Sequence, residues 1–279
     1  MKFNCTLFIF LLTPILFTCK KSNEVTTDNN LVSGKLKSIV KIWPGSIFTI
    51  KTTLAVEYDL SNRVTNFNSW DENTSISPAI ISNARYRHFE YISTNQFPSK
   101  CTTTNETGHI DTTLYIYDNT NRVIQIDEYP YGGSHRRSKY IYSNSNLIIG
   151  LDSVYSAGIP YFFASDSITI GNDKSLLTWR AFDNLGKLSI TYSYTYDNNK
   201  NPFNELNIFK YLYLNGDLDV GYNSIHNFVS YRRVRSGATD HVINNSYTYS
   251  SNSFPLTAQG QEGYDPAYMS TTNTIFSYY

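Results

Sequence analysis

Hydrolysis of a glycosidic bond needs little more than two well-placed carboxyl groups, and the sequence offers three close acid pairs. These are Asp71 and Glu72 in "SWDEN", Asp127 and Glu128 in "IDEYP", and Glu262 and Asp265 in "GQEGYDPAY". Neighbouring residues of an extended strand point to opposite faces, so Asp71 with Glu72 makes a poor acid–base pair on a strand. The chain carries no phosphate loop, dinucleotide fingerprint or "GxSxG" elbow. Its histidines, His88, His109, His135, His226 and His241, lack the spacing of a helical zinc motif. His109 and Asp111 share a strand face by period two, which gives two ligands where a metal site needs more. The expectation is a chain without catalytic residues, metal or cofactor, with a carboxylate-pair hydrolase as the remote alternative.

A second chemistry is recognition of sugars, in which an aromatic ring stacks on the sugar face while carboxylates and amides bond its hydroxyls. Three places juxtapose such groups: Trp70 with Asp71, Trp179 with Arg180, and Tyr264 with Asp265 in "GYDPAYM". Tyrosine on alternate strand positions serves equally well in cross-strand packing, and 24 Tyr in 279 residues exceed what any ligand would use. Acidic and basic residues balance at 23 each, without the clustered cations of a nucleic-acid surface. The one basic cluster, "SHRRSK" (Ser134 to Lys139), reads as a solvated hairpin flank.

The elements that position these residues are strands. Tyr, Phe, Thr, Ile and Val suit pleated, half-buried structure, and only one stretch, between Asn73 and Phe89, offers a short helix. A phrase recurs along the chain: "VEYDLSNRVTNF" from Val56, "YIYDNTNRVIQI" from Tyr115, "YIYSNSNLIIGL" from Tyr140, "WRAFDNLGKLSI" from Trp179, "YTYDNNKNPFNE" from Tyr194 and "YTYSSNSFPLTA" from Tyr247. Weaker copies begin at Phe89 and Tyr211. The common form is aromatic–x–aromatic–Asp/Ser, polar residues with Asn or Gly, then a basic residue and an apolar one. Residues i and i+2 share a strand face, so Tyr115 and Tyr117 project together. Asp118 bonds amides two residues on and opens a turn, and Asn62, Asn121 and Gly186 fall where the loop needs a left-handed residue. Each copy is predicted to be a β-hairpin, with Tyr58, Tyr117, Tyr142 and Tyr196 at least partly buried. The irregular spacing of the copies excludes a fixed-period solenoid.

These strings, "YDxxNR[VL]" and "YTYDNNKNPF" above all, resemble the YD-repeat (RHS-like) phrases of an uncharacterised lipoprotein family of Bacteroidota. The resemblance runs from about Leu54 to Thr257 and implies an antiparallel, strongly β, cell-envelope protein; it carries no catalytic residues. The chain departs from the family at Ser143 and Ser250, which replace Asp, and keeps the turn glycine only at Gly186.

The N-terminus sets the location. Lys2 precedes the apolar run "CTLFIFLLTPILF", the length of a secretory signal and short for a membrane span. "LFTCKKSN" follows and resembles a lipobox, with Cys19 as the lipidated residue. Residues 1–18 are then a signal peptide and 19–31 a flexible tether. Cys5 leaves with the signal and Cys101, with no further cysteine to bridge to, reads as a buried or incidental thiol, so no disulfide framework holds the fold. The reading is an all-β domain over residues 32–279: a large twisted antiparallel sheet of consecutive hairpins, with a two-sheet sandwich as the alternative. The function expected is a non-enzymatic scaffold or binding module of the cell envelope, held to the membrane by lipid on Cys19. The outer membrane is favoured over the inner. Its partner is a glycan or an envelope protein, with Trp70, Asp71, Trp179, Tyr264 and Asp265 as candidate ligand contacts.

Overall fold

The computed structural model describes residues 33–45, 48–144, 146–173, 175–206, 224–235, 237–264 and 269–279. The signal segment 1–18, Cys19, the tether 19–31, the repeat copy at Tyr211 and Asp265 lie outside the described residues. Among the described residues, sixteen antiparallel strands follow one another around a single closed barrel. In chain order they begin with β1 (Leu36–Pro44), β2 (Thr49–Tyr58), β3 (Val64–Asn73) and β4 (Ile80–Glu90). Next come β5 (Lys100–Asn105), β6 (Ile110–Tyr117), β7 (Val123–Tyr129) and β8 (His135–Asn144). The third quarter is β9 (Leu147–Ser156), β10 (Ile159–Ile170), β11 (Leu176–Phe182) and β12 (Leu188–Lys200). A 3-10 helix, Pro202–Glu205, precedes β13 (His226–Arg235), β14 (His241–Tyr249), β15 (Pro255–Gly263) and β16 (Ser270–Tyr278).

The antiparallel sheet of consecutive hairpins is as expected, and the sandwich is not. β1 pairs with β16, from Leu36 opposite Tyr278 to Ile42 opposite Asn273, so the sheet closes on itself and leaves no edge. The helix expected between Asn73 and Phe89 is also absent: Ile80–Glu90 is strand β4. A bulge at Asn83, which has φ of 53°, breaks the alternation there and hides the strand period from the sequence.

The turns explain the repeated phrase. In the β2–β3 hairpin the Asp59 carboxylate accepts from the amides of Ser61 (2.8 Å) and Arg63 (2.9 Å) and from Arg63 Nε (2.7 Å). Asp118 does the same between β6 and β7 with the amides of Thr120 and Arg122 and with Arg122 Nε. Asn62, Asn121 and Gly186 adopt φ of 63°, 61° and 74°, the left-handed conformation that closes each loop. Asn105 builds the same turn between β5 and β6, a copy the repeat had not revealed. One copy is not a hairpin: after Tyr194 the strand runs on to Lys200 and into the 3-10 helix, because Asn201 accepts from the Phe203 amide and starts that helix instead.

Most copies turn at one end of the barrel, which also carries Leu36 and Tyr278. There the repeat tyrosines act through their hydroxyls as well as their rings. Tyr58 donates to the Leu36 carbonyl (2.9 Å), Tyr91 to Val64 (2.7 Å), Tyr117 to Pro98 (2.6 Å) and Tyr142 to Val123 (2.9 Å). Tyr196 donates to Leu176 (2.7 Å), Tyr247 to Phe228 (3.0 Å) and Tyr278 to Pro255 (2.8 Å). Each bond joins two strands that are linked at the far end of the barrel, clasping the open legs of that hairpin. β9 and β10 are the exception, because Ile170 stands where the tyrosine would be.

Inside the same end lies the core. Every strand from β1 to β14 contributes a buried side chain to one apolar cluster, and Phe203 and Leu206 join it from the 3-10 helix. A 16-strand barrel is wide enough to hold an aqueous channel, so this cluster acts as a floor. Outward-facing positions mix apolar and polar side chains: Tyr86, Ile116, Ile141, Leu151, Phe163 and Ile275 are exposed there. Asn244, Ser246 and Thr248 of β14, and Thr257, Gln259 and Gln261 of β15, are exposed on the outer wall. On β2 and β3 the outer wall holds Lys51 paired with Glu72 (3.0 Å) and Asn66 bonded to Glu57 (2.6 Å).

Candidate functional site

Above the floor the inward positions change character. Alternation places Lys41, Asp71, Arg85, Arg87, Asp111, Glu128, Arg136, Asp152, Asp166, Arg233, His241 and Glu262 on the inner wall, by register with core residues lower on the same strands. The lumen is therefore a polar cup with an apolar base, and its mouth is at the end opposite Leu36.

One wall, β9 to β15, is aromatic. Trp179 stacks on Tyr192, its register partner (ring centroids 4.9 Å apart, planes at 18°). Tyr192 leans on Tyr231 (5.8 Å), Tyr231 on His241 (5.9 Å) and His241 on Tyr264 (4.8 Å). Arg233 donates to Tyr264 Oη at 3.1 Å, while Glu262 meets Lys41 (3.4 Å) and His241 (3.3 Å). Burial lowers the His241 pKa against the pull of Glu262. Two of the expected contacts, Trp179 and Tyr264, thus belong to one continuous arc, although 85 positions apart in sequence. Arg180 does not join Trp179, since it points outward from β11.

At the β9–β10 end of this arc sit two acids that the sequence had not marked. Asp152 is hydrogen-bonded to Ser138 and to Asp166, and Trp179 interacts with Asp166 from the next strand. Burial raises both carboxyls, and the charge of Asp152 adds to the rise of Asp166, to about 7. Gly150 makes room for them, because a Cβ there would lie 3.3 Å from Asp166 Cβ and 3.4 Å from Tyr140. The mid-strand glycine of "IIGLD", two residues before the inward Asp152, is the local signal at this site, while Asp166 lies opposite it on the next strand.

The facing wall, β3 to β8, carries two polar clefts. The first, about 530 Å³, is lined by Thr52, Ser69, Asp71, Arg85, Arg87 and Asn105 among others and borders Trp70. The second, about 270 Å³, shares Arg85 and Asn105 and adds Asp111, Glu128 and Arg136. Trp70 and Asp71 part company here. Asp71 faces inward, accepting from Thr52 Oγ1 (2.6 Å) and Asn83 Nδ2 (2.9 Å), whereas Trp70 points to the outer side and donates to Glu72 (2.9 Å).

The other acid pairs do not converge. Asp127 and Glu128 face opposite sides of β7, as neighbours on a strand must. Asp127 is 5% exposed, and Arg137 (2.7 Å), His135 (2.9 Å) and Gln125 (2.7 Å) surround it. Burial pushes its pKa up, but those three bonds outweigh it and hold the carboxyl below its ordinary value. The "SHRRSK" flank is thus in part a clasp for Asp127, with His135 stacked between Tyr129 (4.6 Å) and Tyr155 (5.1 Å). His109 lies on Tyr131 (4.1 Å), and Asp111 accepts from the Tyr131 amide (2.7 Å). Among the described residues no three His, Cys, Asp or Glu side chains are grouped to hold a metal. Cys101 is buried on β5 between Phe89 and Thr113.

Neither the family models nor the curated proteins include a match to this chain. Solved structures do resemble it. A porin-like protein from Bacteroides vulgatus shares the fold at a TM-score of 0.50 with 10% identity, over 88% of this chain and 99% of that one. A porin-like protein from Bacteroides uniformis gives 0.47 with 11% identity, over 89% and 99%. At such identity the likeness is one of fold.

Proposed function

We propose that this chain is a ligand-capturing barrel of the bacterial cell envelope, non-enzymatic and held to the membrane by lipid on Cys19 after removal of residues 1–18. One observation carries the reading: among the described residues the inner face is filled by an apolar cluster at one end and lined by charged side chains at the other, which we read as a blind cup. A conducting pore would need that cluster removed. It would also need a lipid-facing belt, and cations on such a belt cost about 2–4 kcal/mol each at mid-depth. The outer wall here carries Lys51, Arg137 and Lys139 among exposed apolar side chains such as Ile116, Ile141, Leu151 and Ile275, with Lys51 paired to Glu72 and Arg137 to Asp127. The name "porin-like" belongs to the solved neighbours; the cup favours binding over passage.

The ligand reading is a hydrophilic molecule, with carbohydrate ahead of protein, and Asp71, Trp179 and Tyr264 as inner-wall contacts. Asp152 and Asp166 suit a structural or binding part, since they hydrogen-bond each other and Asp152 also bonds Ser138. Membership of the YD-repeat lipoproteins accords with the turns at Asp59 and Asp118.

Full-length protein in planar bilayers tests the cup: no conductance is expected, and steady single-channel currents would refute it. Membrane fractionation of Cys19→Ala tests the anchor, with release into the soluble fraction as the expected result. Retention of that variant in the membrane would remove lipid from the reading.

A further inference from the structure

At the floor end, where the chain enters the barrel, lies a cleft of about 540 Å³ bordered by Lys35, Lys200, Tyr58, Phe254, Asn62 and Asn252. We infer that this cleft seats the phosphate headgroup of an anionic lipid in the membrane that holds the anchor. The barrel then stands on its floor and the cup opens away from the membrane. The inference rests on the reading of Cys19 as the lipidated residue.

The charge balance points to an anion. Lys35 and Lys200 bring two ammonium groups to the cleft, and no carboxylate lines it. Their partners among the described residues are neutral. Lys35 Nζ donates to Asn62 Oδ1 at 2.5 Å and stands over the Tyr58 ring (4.8 Å), while Lys200 stands over the Phe254 ring (5.1 Å). An ammonium has three donors, so an amide oxygen and a ring face leave its charge uncompensated. Lys37, exposed two residues on, lies over Tyr279 (5.4 Å) and adds a third cation at this end. The acids of the neighbouring elements are engaged elsewhere: Asp59 holds Arg63, and Asp197 accepts from Tyr249 and Asn227.

The backbone builds the cleft from separate places in the sequence. Gly34 has φ of 79° and lies against Phe254, where a Cβ would stand 2.8 Å from the ring Cζ. Glycine thus lets the entering chain turn here and deliver Lys35. The Lys200 amide donates to the Ser253 carbonyl (3.0 Å), which fixes the end of β12 to the β14–β15 turn. Ser33 follows Cys19 by 14 positions, a span of at most about 50 Å, and the chain meets the barrel at this cleft. A lipid on Cys19 therefore brings the floor end, rather than the mouth, to the bilayer. Tethering also raises the local concentration of headgroups, so that a weak site fills. Attraction to an anionic surface amounts to about fivefold in affinity per lysine, enough to orient a barrel that its anchor already holds.

The test takes the lipidated chain purified from membranes into phosphatidylcholine vesicles, with and without phosphatidylglycerol. Floated vesicles are briefly acetylated and each lysine is read by mass spectrometry. Lys35, Lys37 and Lys200 are expected to react about fivefold more slowly when phosphatidylglycerol is present, and to recover as sodium chloride rises. Lys187 at the mouth and Lys139 on the outer wall, both exposed, should keep one rate throughout. With Lys35→Gln and Lys200→Gln combined, Lys37 should lose its protection. Should that pair fold poorly, Lys200→Gln alone, at an exposed position, is expected to reduce it. Equal rates in the two vesicles overturn the inference. So does protection already present without phosphatidylglycerol, which would assign the cleft to Glu24 or Asp28 of the tether. Full protection by inorganic phosphate on phosphatidylcholine overturns it too, since the ligand would then be a free anion. Protein that fails to float would refute the anchor itself, and this inference with it.

Discussion

At the floor of the barrel Phe67, Val123 and Ile126 are almost wholly sealed from water, and tyrosine hydroxyls clasp one hairpin after another to the backbone. At the mouth, each strand connection bears or adjoins an exposed large apolar residue: Phe48, Ile76, Ile110, Tyr131, Ile159, Leu185, Val234 and Tyr264, in chain order. The inner wall beneath them is charged. The same strands run through both regions, and alternation gives each an inner face from end to end. What differs is the filling of that face, apolar below and ionisable above. Stability is thus concentrated in one half of the molecule, leaving the other half free to carry polar groups that a core would exclude.

Truncation of the floor should break this comparison most severely. Phe67→Ala is expected to cost about 3–5 kcal/mol, as large-to-small changes in a packed core do, read from urea unfolding of the purified protein. A loss below 1 kcal/mol would mean that the floor is not packed as described.

Proton linkage separates the two regions next. Asp166, on the inner wall, is raised to about 7 by burial and by Asp152. The folded state then binds more protons than the unfolded one between the ordinary carboxylate pKa and about 7. This group's contribution therefore falls as pH rises through that window and stays low above it. Asp166→Asn should remove that slope and unfold at a higher temperature than the parent at pH 8, the two converging near pH 4. Asp118, in a floor-end turn, has the opposite sign. Its pKa is lowered, first by the Arg122 amide, so its contribution is present above the ordinary carboxylate range and is lost as pH falls below it. Asp118→Asn should flatten only the acid limb of the melting profile.

Smaller effects sharpen the contrast. Tyr142→Phe keeps the ring and deletes the bond to the Val123 carbonyl, for a loss of about 1 kcal/mol in chemical denaturation. Ile159→Ser at the mouth, where the side chain is 69% exposed, should change stability by less than about 0.5 kcal/mol. Equal losses from these two substitutions would show that the ends are not built differently.

Much of the local structure was legible from residue types. Asp59, Asp118 and Asn121 act in their turns as short-range hydrogen bonding and left-handed preference require, because those forces span only a few residues. The bulge at Asn83 was not legible: one inserted residue breaks the strand period in β4, within the stretch that had offered a short helix. The tyrosines of the repeat were legible as rings but not as donors, since their carbonyl partners lie on a neighbouring strand about 20 residues away. Of the candidate contacts, Trp70 and Asp71 border one cleft but leave β3 on opposite sides. Period two sends adjacent residues to opposite sides of a strand, and only a known inner side tells which of them meets the lumen.

By itself, then, the sequence determined the strands, most of the hairpin turns and the antiparallel order, all consequences of local conformational preference and alternation. The tertiary structure alone decided closure, through the pairing of β1 with β16 across nearly the whole chain. That closure defines an inside, and so brings Trp179 to Tyr264, Asp152 to Asp166 and Arg85 to Arg136. No spacing rule reaches so far, because the neighbours of an inward residue are set by the register of every strand between them.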